Sequence, residues 1–331
     1  MPDARTEGAG GAGPAGGAAA AGAPSSTAAG SGFQPPLEEA GVPGAEAEAS
    51  SRLQLVWHRF VRQRAAMFGL LVVALLFALA YLSPFVSPWQ YTELDFNAFL
   101  EPPSASHWFG TTQNGFDVFA LTMRGMQKSL VIGLLGAVMS TALAATVGAF
   151  AGYFGGKINT ALVTIIDLLM VLPAFLIIAI LSPSFRGRTW LIFVVLLAAF
   201  QWMVTARIVR GMTLSLRERE FVHAARFMGV PGWRIIFRHI LPNMASLLII
   251  DATINVSSLI LAEVGLSFFG FGVQPPDVSL GTLIGDYAGA ALTFPWEFYF
   301  PAGFLVILVL AINLVGDGLR DAFDPNTQGR S

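Results

Sequence analysis

The sequence predicts an all-α membrane protein with six transmembrane helices, a basic loop between the fourth and fifth, and a disordered N-terminal tail. Three observations predict it. Hydrophobic residues make up 54% of the 331 residues and charged residues 12%, and the mean hydropathy is +0.64, outside the range of ordinary soluble domains. Six apolar stretches, near 65–83, 130–153, 160–181, 189–209, 244–263 and 298–316, are each long enough to cross a hydrocarbon layer of about 30 Å. The arginines between and beside them are unevenly shared between the two sides.

The first 49 residues are rich in Gly, Ala and Pro and show no apolar period. Such a segment cannot bury enough surface to offset its chain entropy, so 1–49 is expected to be disordered. It also lacks the basic n-region and apolar h-region of a signal peptide. Residues 50–64 place Leu53, Val56, Trp57, Phe60 and Val61 on one helical face among Arg52, Arg59, Arg62 and Arg64. That pattern suits a helix lying among lipid headgroups, which makes membrane lipid a direct partner.

With the N-terminus inside, the inner side collects Arg52, Arg59, Arg62, Arg64, Lys157, seven arginines from Arg207 to Arg238, Arg320 and Arg330. The outer side holds Arg124, Lys128, Arg186 and Arg188. Both termini and the 210–242 loop are therefore expected in the cytoplasm, in a multi-pass cell-membrane protein. Within the spans, Gly148 and Gly152, preceded by Ala144 and Ser140, form a small-residue stripe suited to close helix packing. Pro173 is expected to kink the third span. Asp167, Asp251, Asn255, Glu263, Asn313 and Asp317 are the polar residues at or near membrane depth. A carboxylate there is costly enough to be a functional candidate. Asp251 and Asn255 share a helical face and, with Asp167, are candidates to line a hydrophilic path.

The most informative stretch is 217–243, REREFVHAARFMGVPGWRIIFRHILPN. Phe221, Ala224, Ala225 and Met228 recur at helical spacing, which predicts an apolar face after Glu220. Ser215 and Glu218 have the spacing of a capping box, so the helix is expected to start near Ser215. Gly229, Pro231 and Gly232 should stop it, with a short basic helix over 233–239 before Pro242 opens the next apolar run. The arginines could serve only to set topology, or the segment could present its apolar face to a soluble partner.

Ala224 and Ala225, Gly229 four residues on, and Leu241 and Pro242 resemble the EAA loop of permease subunits from ABC importers. His223 stands where that motif has glutamate, and His239 where it has isoleucine. AGYFGG at 151–156, LAEVGLSFFGFGVQPP at 261–276 and NLVGDGLRDAFDP at 313–325 are similar to the dipeptide/oligopeptide branch, nearest to its C-type subunits. The resemblance covers roughly residues 50–325. HWFGTTQNGFDV at 107–118 is also similar to a stretch of that branch, with Thr112 and Phe116 replacing its aspartate and arginine.

The resemblance implies a type I ABC importer permease fold over 65–325, with a coupling loop at 213–243 and a short tail at 326–331. It implies an elbow helix at 50–64 and import of di- or oligopeptides into the cytoplasm. Nickel importers of the same branch have nearly the same motifs. The implied partners are a second, homologous permease subunit, two ATPase subunits and an extracytoplasmic substrate-binding protein. Glu220, Phe221, His223, Ala224, Ala225, Met228 and Gly229 would form the coupling helix on the ATPase, and His239, Leu241 and Pro242 would end the loop. Glu263, Phe268 and Phe269 would lie at the outer loop and gate.

The chain itself shows no nucleotide site. A phosphate loop requires G-x-x-x-x-G-K-[ST], but Gln127 precedes Lys128, and Ile158 follows Lys157. It is therefore not expected to be an enzyme or to bind a cofactor; ATP and Mg2+ would sit on the ATPase partners. The four histidines have no metal-ligand spacing, the absence of cysteine removes thiolate sites, and a net charge of −2 offers nothing to nucleic acid. The competing class is a stand-alone secondary transporter relaying protons or cations through Asp167, Asp251 or Glu263. It would call for repeated halves with paired broken helices, and it gives the basic loop no role.

Overall fold

A computed structural model describes residues 45–185 and 190–323. Residues 1–44, 186–189 and 324–331 lie outside the described residues, as do the side chains before Gln54 and those of Pro183 and Phe185. The expectations for the N-terminal tail, part of the fourth outer flank and the 326–331 tail fall there. The described residues are helical, with two isolated antiparallel bridges, Leu94 with Phe116 and Thr111 with Asp117.

Helix α1 (Ala45–Arg62) is followed after Gln63 by α2 (Arg64–Val86), and a compact outer segment then leads to α3 (Val118–Phe154). Next come α4 (Gly156–Val171), α5 (Ala174–Leu181) and α6 (Leu191–Leu216). The loop between α6 and α10 carries α7 (Glu220–Phe227), α8 (Gly232–Ile235) and α9 (Leu241–Asn243). After it come α10 (Ala245–Phe268), α11 (Leu280–Tyr287) and α12 (Pro295–Phe323). Helices α2, α3, α6, α10 and α12 are each long and apolar enough to span a membrane; α4 and α5 qualify only as a pair bent by 74°. The described residues thus hold five unbroken spans, and α4 with α5 counts as a further one only as a broken pair. Leu172 is extended, the conformation favoured before proline, and Pro173 serves as the N-cap of α5. A break rather than the expected kink results.

The expected boundaries change where polar residues interrupt helices that continue. Helix α1 begins at Ala45, inside the segment read as tail. Helix α3 starts well before residue 130 because Asp117 caps it, accepting from the Ala120 N–H at 2.8 Å. Its first turns carry Arg124, Gln127 and Lys128, which end the apolar run but not the helix. At 37 residues it is about 55 Å long, longer than a hydrocarbon layer of about 30 Å requires.

Helix α3 is the central post. Leu76, Met123, Met126, Ile260 and Leu308 join α2, α3, α10 and α12 in one cluster. Ile132, Ile178, Phe193 and Leu259 join α3, α5, α6 and α10 in a second. The small-residue stripe meets α6: a Cβ on Gly148 would lie 2.5 Å from the Ala206 carbonyl oxygen, and one on Gly152 would lie 2.7 Å from Thr213 Cβ. Gly148→Val is accordingly expected to force the helices apart at a cost of about 1–3 kcal/mol. Thermal unfolding of the detergent-solubilised chain should show a lower Tm. Gly211→Ala, whose Cβ would meet open space, should leave it unchanged. Equal Tm values for both variants would mean the crossing is not tight.

On α1, Phe60 is buried, packing with Val56, Ala66 and Ala322 against the inner ends of α2 and α12, while Trp57 and Val61 remain exposed. The expected single apolar face is thus split, one edge to the protein and one outward.

Candidate functional site

The loop after α6 forms a small, braced platform. Helix α6 runs through Ser215 to Leu216, so the Ser215–Glu218 box does not cap α7; α7 starts at Glu220 after an extended Arg219. The carboxylate is used elsewhere: Glu218 accepts from Arg217 Nε at 2.8 Å and lies 3.6 Å from His223 Nε2. The Arg217 guanidinium beside Glu218 holds its carboxyl below the usual carboxylate range. Arg217 also reaches back to the Gly152 carbonyl at the end of α3, at 3.3 Å.

The C-terminus of α7 is a Schellman turn. Val230 N–H bonds the Ala225 carbonyl at 3.1 Å and Gly229 N–H bonds that of Arg226 at 3.0 Å, with Gly229 at φ +75°. This left-handed conformation is why glycine stands there. A Cβ would meet nothing within 4 Å, so only backbone strain opposes substitution. Gly229→Val is expected to cost about 1–2 kcal/mol, whereas Gly229→Asn should cost much less, measured as relative Tm. Identical losses would imply a packing role instead.

Val222 and Ala225 point inward, fully buried against Ala149, Tyr153, Val209, Ile235, Ile236 and Ile240. Arg226 covers the Tyr153 ring at 5.4 Å. Phe221, Ala224, Phe227 and Met228 point outward, Phe227 at 91% and Met228 at 76% exposure. The expected face is therefore corrected in two places: Ala225 belongs to the inner side, and Phe227 joins the outer one. A start at Glu220 leaves two turns, and the docking of Val222 on the end of α3 fixes their rotation. His223 is half-buried and Glu220 exposed.

The expected helix over 233–239 is α8 followed by a π-type turn over Ile236–Ile240. Pro242 has no N–H to continue an α-ladder, and Leu241 N–H bonds the Ile236 carbonyl instead. Leu241 packs on the same cluster as α7. His239 is half-buried, and its carbonyl accepts from Asn243 Nδ2 at 2.6 Å.

At membrane depth Asn313 of α12 accepts from Ser257 of α10 at 2.7 Å, and the three carboxylates Asp251, Asp167 and Glu263 each have partners of their own. Asp251 accepts from Thr141 at 2.9 Å, from Thr205 at 2.7 Å and from Asn255 at 2.9 Å, while Asn255 accepts from Gln201 at 3.2 Å. That network ties α3, α6 and α10 together. Asp167 pairs with Arg207 of α6, both about half exposed. Glu263 does not lie in an outer loop: it is fully buried in α10. It accepts from Ser267 at 2.6 Å, Ser279 at 2.5 Å and Ser129 at 3.2 Å, and so joins α10 to α3 and to the start of α11. Phe268 and Phe269 are exposed at the end of α10, and Phe269 meets Phe175 of α5 edge-on at 5.6 Å.

Outside the spans, His107 is buried between Asp117, at 2.9 Å, and Asp95, at 3.5 Å, and stacks on Trp89. Lys128 bonds Asp277 at 2.8 Å and lies under the Trp190 ring, anchoring the 270–279 loop to α3. Burial pushes the Asp286 carboxyl up. Burial first, then the Glu297 carboxylate, pushes the Tyr287 phenol up to about 12, so it stays neutral at physiological pH.

Sequence reasoning missed α11, although Ser279 and Thr282 form a capping box that their spacing could have signalled. It also missed Arg207, Gln201, Thr141, Thr205 and the three serines around Glu263. No local pattern marks these, because their partners are distant in the chain.

Residues 144–329 match the family described as binding-protein-dependent transport system inner membrane component. Residues 51–103 match the N-terminal TM domain of oligopeptide transport permease C. The oligopeptide transport system permease protein OppC of Mycobacterium tuberculosis is 56% identical over 84% of this chain and 96% of its own length. A putative peptide permease of Brucella suis is 42% identical over 82% and 90%, and OppC of Haemophilus influenzae 38% over 84% and 90%. A structure of the MetNI methionine ABC transporter in inward-facing form superposes with a TM-score of 0.50 at 21% identity, covering 62% of this chain and 97% of that one; that likeness speaks to the fold. The five long apolar helices with the bent α4–α5 pair, the braced loop and these matches together make the chain a member of the inner-membrane permease family of binding-protein-dependent transport systems.

Proposed function

We propose that this chain is a permease subunit of an ATP-driven importer that carries oligopeptides into the cytoplasm. The observation that carries the reading is α7: a short helix braced from behind by Val222 and Ala225 that offers Phe221, Ala224, Phe227 and Met228 to a partner. An apolar patch of this kind, rimmed by charge, is a docking surface. The peptide relatives support the cargo, and the five arginines from Arg217 to Arg238, beyond the end of α6, support a cytoplasmic position for the loop and both termini. The partners are a second permease, two ATPase chains that hold ATP and Mg2+, and an extracytoplasmic binding protein that delivers peptide. The docked α7 passes ATPase closure to α6 and α10, which flank the loop, and so opens the pathway to one side at a time.

Affinity purification of the tagged chain from gently solubilised membranes, followed by reconstitution, tests this. A second permease, ATP-hydrolysing chains and ATP-dependent uptake of labelled peptide are expected. A chain that purifies alone and moves solute on a proton gradient would overturn the importer reading. ATP-dependent uptake of nickel in place of peptide would overturn the cargo.

A further inference from the structure

Where α2 ends and α3 begins, the two helices and the segment between them surround a cavity of 240 Å³. Ser83 and Ser87 line it from the end of α2, Trp89 and Tyr91 from the segment that follows, and Arg124 and Gln127 from α3. Helix α2 has 23 residues and is about 34 Å long, close to the thickness of a hydrocarbon layer of about 30 Å. Its last turn therefore stands at an interface, and Trp89 and Tyr91 follow at the level where such aromatic residues gather. Arg124 is about 43 Å along α3 from Tyr153, which packs with α7. The cavity is thus at the end of the molecule opposite the α7 loop.

Among the residues that line the cavity, Arg124 alone is charged. Its guanidinium lies over the Tyr91 ring at 4.9 Å, and Nη1 donates to Gln127 Oε1 at 3.0 Å. Gln127 is itself held, donating from Nε2 to the Ala80 carbonyl of α2 at 2.6 Å. The other edge of the guanidinium has almost nothing to bond. Nε is enclosed, with no hydrogen-bond partner among the described residues. Nη2 lies 3.8 Å from Asp277, beyond hydrogen-bond reach, and that carboxylate already bonds Lys128 at 2.8 Å. An enclosed N–H without a partner is costly. Two adjacent guanidinium N–H groups are what grips a phosphate with two parallel bonds. The side chain is 31% exposed, which leaves it room to turn that edge toward a ligand.

We propose that this cavity holds the phosphodiester of an anionic phospholipid, gripped by Nε and Nη2 of Arg124 and flanked by Trp89 and Tyr91. The interface supplies phosphate at this level. The volume is below the roughly 300–1,000 Å³ of drug-sized sites, which suits a headgroup whose acyl chains stay outside, along the exposed Leu82 and Phe85 of α2. No carboxylate lines the cavity to meet an ammonium, so a phosphatidylglycerol headgroup fits better than phosphatidylethanolamine. The inference rests on the membrane placement of α2 and not on what the transporter carries.

The test is native mass spectrometry of the full-length chain, stripped of lipid in detergent and given phosphatidylglycerol, phosphatidylethanolamine or inorganic phosphate. The wild type is expected to hold one phosphatidylglycerol about tenfold or more tighter than Arg124→Gln does, the loss due to a two-pronged charged contact. Arg124→Lys keeps the charge without the fork and should fall between them. Lys157→Gln, exposed at the start of α4, should bind as the wild type does. Phosphatidylglycerol should also raise the Tm of the wild type but not that of Arg124→Gln; a variant that had only lost stability would keep the increment. Equal phosphatidylglycerol affinity in the wild type and both Arg124 variants would overturn the proposal. Equal affinity of the wild type for the two lipids would overturn the anionic class. Displacement of the lipid by equimolar inorganic phosphate would make the ligand a free anion. A wild type that binds no phosphatidylglycerol would leave the guanidinium to a carboxylate of a partner protein, and would overturn the proposal too.

Discussion

Ala224→Glu and Ala225→Glu, neighbours with the same chemistry, are expected to fail for opposite reasons. Ala224 is on the exposed side of α7. A glutamate there stays hydrated in the free chain, so Tm and membrane insertion should match the wild type. In the complex the new carboxylate would be desolvated against an ATPase cleft at a cost of several kcal/mol. Capture of the ATPase and transport should therefore fall by tenfold or more. Ala225 is 1% exposed and packed among Val222, Ile235 and Ile236. A carboxylate there has no partner, and the loop should melt locally before any docking is attempted. Limited trypsin digestion reads the difference: new cleavage after Arg226 and Arg234 in Ala225→Glu, and the wild-type pattern in Ala224→Glu. Normal ATPase capture by Ala224→Glu would show that α7 docks through another surface, or not at all.

Glu263→Leu should be among the most damaging single changes in the spans. The carboxylate is fully buried and receives three serine hydroxyls from three separate helix regions. Leucine removes both acceptors and leaves buried hydroxyls to find other partners, at about 1–3 kcal/mol for each one that fails. The site cannot widen to compensate, since a Cβ on Gly281 of α11 would already lie 3.1 Å from Glu263 Oε1. Glu263→Gln keeps an acceptor oxygen, and the hydroxyls can rotate to accept from its amide, so its loss should be far smaller. Tm in detergent, paired with ATP-dependent peptide uptake, separates the two variants. A Leu variant as stable as the Gln variant would mean the serines do not depend on the carboxylate.

The crossings, the loop and the glycine stripe were legible because each is written in neighbouring residues. Apolar runs, arginine placement and small residues four apart need no knowledge of the rest of the chain. Boundaries were less legible where a polar residue sits inside a continuing helix, as Arg124 and Lys128 do in α3. The Ser215–Glu218 pair had the right spacing for a cap, but α6 continues through Ser215 and Arg217 holds Glu218.

Within the candidate site, helical spacing placed Phe221, Ala224, Ala225 and Met228 together but could not say which way α7 is turned. Asp251 and Asn255 were visible as a pair because they lie one turn apart. Thr141 and Thr205 were not, since each belongs to another helix.

What the sequence determined by itself is membrane residence, the apolar spans and a short helix in the loop between two of them. These follow from local hydrophobic burial and charge placement, which depend only on short stretches of chain. Tertiary structure alone decided that the third crossing breaks at Pro173, that Ala225 turns inward and Phe227 outward, and that Asp167 meets Arg207. It also decided that Glu263 is buried in α10, where it accepts from serines of three helix regions, and does not stand in a loop. Each of those outcomes turns on the packing of helices far apart in sequence, where a few ångströms of approach decide which side chain is buried and which is left to meet a partner.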